Sequence, residues 1–193
     1  MPRPREFDTD KALDRAMRVF WRRGYEGASM PELTRAMGIN RPSLYAAFGN
    51  KEQLFRKALD RYAAGPAGYV LEALEAPTAR QVAEHLLRGV IDLNTHPRNP
   101  GCCMIVHGSL TRSRGGGPIR RAVNRHRTAT EAAIRERFER AKAEGDLPTD
   151  SDPATLALFM KIMISGIAVH AANGANREEL QRVAESLLRA WPR

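Results

Sequence analysis

The chain has 193 residues, 42% of them hydrophobic and 6% aromatic, with a formal net charge of +9. Its start, MPRPREFD, lacks an apolar core segment, so no secretory leader is expected. Its two cysteines, adjacent at Cys102 and Cys103, cannot build a disulfide framework, and free thiols in a reducing cytoplasm are expected. Ala, Leu, Arg and Glu dominate and strand-like runs of Val, Ile and Thr are nearly absent, which argues against a sheet and for helix.

In chain order, residues 1–7 form a basic arm with Arg3 and Arg5, either a frayed tail or a source of phosphate and minor-groove contacts. Asp8 caps a first helix whose Leu13, Ala16, Met17 and Phe20 make one buried stripe, and Gly24 stops it. Trp21 and Tyr25 read as packing residues rather than as a base-stacking platform. Ser29 and Glu32 have the spacing of a capping box, and Pro31 lies in the first turn of the second helix. Leu33 and Met37 give that helix its apolar stripe, Gly38 ends it and Ile39 plugs the turn. Asn40 caps the third helix, with Pro42 in its first turn. Leu44 and Phe48 face inward; Arg41 and Tyr45, also four apart, share another face. Gly49 closes this helix and Asn50 caps a fourth, which carries Leu54, Phe55, Ala58, Leu59 and Tyr62 inward. Gly65-Pro66 should kink or break it before helix resumes over Tyr69 to Leu74.

Helix, short turn and capped second helix form the helix-turn-helix pattern, although an αα-hairpin within a small bundle shares those signals. Residues 1–62 carry a net +5 against +4 for the other 131, so the head is the more basic part. The string from Asp8 to Phe55 resembles the DNA-binding domain of TetR-family transcriptional regulators. The match runs through Ala16, Phe20, Gly24, Tyr25, Ser29, Leu33, Ala36, Gly38 and Ile39, then Ser43, Leu44, Tyr45, Phe48, Lys51, Leu54 and Phe55. It departs from the family at Ala46, where another aromatic often stands, and at Pro42.

Beyond the head, Thr78 can cap a fifth helix with Val82, Leu86, Leu87, Val90, Ile91 and Leu93 on a wide apolar face. A proline-rich turn from His96 to Gly101 leads into a short apolar helix over Cys102 to Leu110, then a flexible glycine-rich loop. Helices are expected from about Ile119 to Glu144, from Asp152-Pro153 to about Asn173, and from Arg177 to Trp191, nine in all. The apolar stretch Leu156 to Ala172 carries Lys161 and His170 and reads as too short to span a bilayer.

The resemblance implies an all-α, nine-helix TetR-like fold, with a DNA-binding head over residues 1–50 and a ligand-binding and dimerisation body over 51–193. It implies a cytoplasmic homodimer on a double-stranded DNA operator, acting as a repressor released by a small molecule. In that reading Asn40, Arg41, Pro42 and Ser43 read bases, with Arg41 placed to contact guanine O6 and N7. Ser29, Thr34, Tyr45 and Lys51 bind phosphates. The last two helices would pair with their copies in a dimer. The effector pocket is expected at Tyr69, Leu86, Val90, Met104, His107, Phe138 and Met163, which suits a hydrophobic or aromatic molecule, though core packing has the same composition.

Two further motifs stay open. Cys103 and His107 share a helix face beside Cys102 and Met104, which could suit Cu(I) or Zn(II) or a redox switch, but no full ligand spacing is present and ordinary core is the plainer reading. Arg112, Arg114, Arg120, Arg121, Arg125 and Arg127 form a run without an acid from 111 to 130, either a solvated face or a site for an anionic effector or phosphate. No cofactor, metal or membrane partner is expected. No nucleophile–base–orienter set suggests an enzyme; the alternative is an architectural DNA-binding protein with no effector.

Overall fold

A computed structural model describes residues 7–109 and 117–192. Arg3, Arg5, Leu110, Arg112 and Arg114 lie outside the described residues. Within them the chain forms ten helical segments and no strand. The head comprises α1 (Thr9–Gly27), α2 (Met30–Met37) and α3 (Arg41–Phe48), followed by α4 (Lys51–Ala64) and α5 (Tyr69–Leu74). The body adds α6 (Ala79–Thr95), α7 (Met104–Ser109), α8 (Pro118–Ala143), α9 (Pro153–Ala172) and α10 (Arg177–Arg189). α4 and α5 are the two halves of the expected fourth helix, parted by the turn at Gly65-Pro66, so the all-α, nine-helix layout holds.

The helix N-termini are capped by the side chains expected to cap them, with Asn176 one more that the sequence pattern did not single out. Asp8, Ser29, Asn40, Asn50, Thr78, Asp152 and Asn176 each accept a first-turn amide. Ser29 completes only half of a capping box. Its hydroxyl accepts from the Glu32 amide at 3.2 Å, but the Glu32 carboxylate turns instead to Arg23 on α1, 3.3 Å away. Gly24 takes φ 68° and ψ 177° and interrupts α1, which runs one more turn before Ala28.

Two apolar clusters fill the interior. The first holds the inward faces of α1 to α4, together with Leu93, Met104, Ile119, Ala122 and Val123 from the body. The second holds α6 and α8 to α10, with Leu86, Val90, Phe138, Met160, Ile167 and Trp191 among its members. Tyr69 and Cys103 pack against both. Arg137 is 5% exposed, and its guanidinium donates to the carbonyls of Leu74, Ala76 and Pro77 at 3.1, 2.8 and 3.0 Å. It thereby satisfies the end of α5 and the linker beyond it.

α9 departs from expectation in one way. It is 20 residues long, and by length and composition alone it could cross a membrane, although the apolar stretch reads as too short. Ala157, Met160, Ile167 and Ala168 are its buried side, packed on α6 and α8. Phe159 at 42%, Ile162 at 58% and, on α10, Val183 at 48% stay exposed, so much of its apolar surface faces outward.

Candidate nucleic-acid interface and effector cavity

α2 and α3 meet through the left-handed turn at Gly38 (φ 71°), and Leu33, Met37, Leu44 and Phe48 sink into the first cluster. That leaves Asn40, Arg41, Pro42 and Tyr45 exposed, with Ser43 partly so. Tyr45 is 50% exposed although nothing in the fold requires an aromatic there. The structure thus brings the expected base-reading residues together at the N-terminal end of α3. Asn40 is partly committed: its carboxamide oxygen accepts from the Ser43 amide at 2.8 Å, leaving its N–H groups to act. The Thr34 hydroxyl donates back to the Met30 and Pro31 carbonyls, both at 3.1 Å, so toward DNA it offers only its oxygen.

Lys51 begins α4. Its ammonium stands 4.5 Å from the Tyr25 ring centroid, and burial lowers its pKa against the opposing pull of Glu26. Tyr25 in turn meets Phe55 edge-on at 5.3 Å. The phosphate candidate is therefore seated on the head's own aromatic core. Three braces that the sequence pattern conceals fix the angles of this unit. Arg61 on α4 grips Asp14 on α1 through two nitrogens at 2.8 and 3.1 Å, and reaches Asp10 at 3.2 Å. Lys57 donates to the Ala47 carbonyl at 3.3 Å, tying α4 to the end of α3. Arg15 reaches the Met37 carbonyl at the end of α2 at 3.5 Å.

The expected pocket residues do not share one wall. Tyr69 lines a cavity of about 70 Å³ with Leu93, Cys103, Ile105, Val106, Arg127, Thr130, Ile134, Lys161, Ile164 and Ser165. The Tyr69 ring packs on Gly89, where an added Cβ would lie 2.1 Å from it, so only glycine lets α6 approach this closely. Burial and the neighbouring Cys103 raise the Tyr69 pKa and keep the phenol neutral. His107 lines a neighbouring cavity of about 350 Å³ with Cys102, Cys103, Val106 and residues of α9; its Nδ1 is buried and has no hydrogen-bond partner among the described residues. Met163 lines a groove between α9 and α10 instead. Leu86, Val90, Met104 and Phe138 are fully buried and fill the two clusters rather than either cavity.

The cysteines face the head. The Trp21 indole N–H donates to the Cys102 carbonyl, and the Cys102 thiol donates to the Trp21 carbonyl at 3.3 Å. The Tyr62 hydroxyl donates to Cys103 Sγ at 3.5 Å. Burial and the adjacent Cys103 raise the Cys102 pKa, the reverse of what a reactive thiol needs. Among the described residues no three His, Cys, Asp or Glu side chains gather to hold a metal.

Comparison with known proteins matches residues 12–58 to the family described as bacterial regulatory proteins, tetR family, and residues 80–187 to the tetracyclin repressor-like C-terminal domain. The chain belongs to the TetR family. It is similar to the HTH-type transcriptional repressor ComR of Escherichia coli (strain K12), at 33% identity over 98% of this chain and 91% of that protein. It is also similar to the transcriptional repressor BdcR of the same organism, at 29% identity over 92% of this chain and 86% of that one. Among solved structures it resembles a cysteine-substituted form of the TetR-family regulator CifR complexed with 26-bp operator DNA. The TM-score there is 0.92, with 45% identity over 98% of this chain and 100% of that chain.

As a TetR-family regulator the chain acts by binding DNA and not by catalysis. What sequence reasoning missed is the polar part of the family's body in this chain: Arg127, Thr130, Lys161 and Ser165 on the cavity wall. Arg127 stood in the basic run, but no spacing rule marks which arginine of such a run turns inward.

Proposed function

We propose that this regulator is a homodimeric repressor that leaves a palindromic operator when a small molecule enters its body. The observation that carries this reading is the exposed set Arg41, Pro42 and Tyr45 on a helix whose other face is locked into an apolar cluster shared with the body. A reading head fixed to the cavity-bearing body can be moved by an occupant of that body. Residues 1–50 serve recognition; residues 51–193 serve ligand binding and dimerisation. Arg41 contacts a guanine edge in the major groove, Asn40, Pro42 and Ser43 complete the base-facing set, and Ser29, Thr34, Tyr45 and Lys51 hold phosphates. The names of ComR and BdcR as repressors, and the operator DNA bound to CifR, support the same reading.

The partner on the outer face of α9 and α10 is a second copy of the chain. Phe159, Ile162 and Val183 are exposed there, and a groove of about 600 Å³ runs between Ile162, Met163, Gly166, Leu180 and Val183. A largely apolar helix with an uncovered side suits a four-helix interface. Dimerisation also sets two heads on two half-sites, as a palindrome requires. The effector is hydrophobic or aromatic and the site of action is the cytoplasm. The test is selection of bound duplexes from a random DNA pool, followed by sizing of the complex. An enriched palindrome bound by a dimer is expected. Binding without an enriched motif would replace this reading with that of an architectural protein.

A further inference from the structure

The cavity between α5, α7, α8 and α9 holds a charge that an apolar effector leaves unused. Arg127 and Lys161 both line it. Lys161 pairs with Glu131 on α8, whereas Arg127, partly buried, pairs with no carboxylate among the described residues. The hydroxyls of Thr130 and Ser165 line the same space, and neither has a hydrogen-bond partner among the described residues. The rest of the wall is apolar, with Val70, Leu93, Ile134 and Ile164 prominent. One uncompensated cation, two spare hydroxyls and an apolar surround therefore converge on one cavity.

A partly buried guanidinium without a counter-ion, set beside an apolar wall, is best completed by a single negative charge. Its planar fork matches a carboxylate, which accepts two N–H groups at once and can accept from the hydroxyls as well. A doubly charged group would leave a surplus anion against the apolar wall. We infer that this cavity binds a small apolar monocarboxylic acid, with its carboxylate on Arg127 and its hydrocarbon part against Leu93, Ile134 and Ile164. The inference rests on the reading of the body as an effector site and names the effector's chemistry. At about 70 Å³ the cavity admits a body of only a few carbons before its walls move.

The test is calorimetric titration of the full-length protein with butyrate and with butyramide at neutral pH. The two are alike in size and differ in charge. Butyrate is expected to bind at least about tenfold more tightly. Arg127→Gln should abolish that preference and Arg127→Lys should keep part of it, with thermal melting to show that each variant is folded. Equal binding of acid and amide, binding of neither, or a preference that survives in folded Arg127→Gln would overturn the inference. Should Arg127→Gln not fold, the acid–amide comparison on the wild-type protein together with Arg127→Lys decides. Sequence-selective DNA binding without ligand is measured in parallel. Its absence beside an intact acid preference would sink the regulator reading alone, and its presence with no acid preference would sink this inference alone.

Discussion

The Trp21 indole donates to the Cys102 carbonyl while the Cys102 thiol returns a bond to the Trp21 carbonyl, so one tryptophan of the first helix is tied twice to the segment entering α7. Trp21 also meets Tyr62 of α4 edge-on at 4.9 Å. Trp21→Phe keeps most of the ring but strands a part-buried carbonyl. A loss of roughly 1–3 kcal/mol is expected, read as a lower urea midpoint at unchanged m-value. An unaltered midpoint would show that water replaces the indole at no cost.

Arg41 and Lys51 should fail in different ways. Arg41→Ala removes a base contact, costing about 1–3 kcal/mol at one operator position and relaxing the preference there. Lys51→Ala removes a phosphate contact, weakening all duplexes alike and flattening the slope of log affinity against log salt by about 0.9. Fluorescence anisotropy on a selected operator and its single-base variants, over a salt series, separates the two.

Arg137 serves structure rather than recognition. Arg137→Met preserves apolar bulk but leaves the Leu74, Ala76 and Pro77 carbonyls without their donor. A loss of roughly 3 kcal/mol is expected in urea unfolding, with the enriched DNA motif unchanged. A changed motif at full stability would instead place Arg137 in the signalling route.

Tyr62 and Tyr69 make stability fall in alkali. Burial is the first cause that raises both pKa values above the ordinary 10.0, with Cys103 adding to each. Below pH 10 both phenols are protonated in either state and their contribution is complete. Above it the unfolded chain releases protons that the folded protein retains, so stability declines progressively from there upward. Urea midpoints at about pH 9 and about pH 11 should show the decline, and Tyr62→Phe should shallow it. A midpoint independent of pH across that range would mean that both phenols reach solvent.

The head was legible because its information is punctuation. Asn40, Asn50, Gly38 and Gly49 stand where caps and turns require them, and local chemistry alone locates each. The body's helices were legible for the same reason, through Thr78 and Asp152. The cavity was not. Leu86, Val90 and Phe138 share hydrophobicity and spacing with true wall residues, and only their neighbours across helices consign them to the packed interior. The Arg61–Asp14 and Arg137 braces were hidden for a related reason: a long cationic side chain on a helix reads as solvated until a distant backbone shows what it reaches. Glu32 erred the other way, since its capping position was right and a competing arginine took its carboxylate.

Leu93, Met104, Ile119, Ala122 and Val123 belong to the same apolar cluster as the reading head. A head grafted from another regulator would have to bury five foreign neighbours. A change of head is therefore felt as a repacking problem in the body.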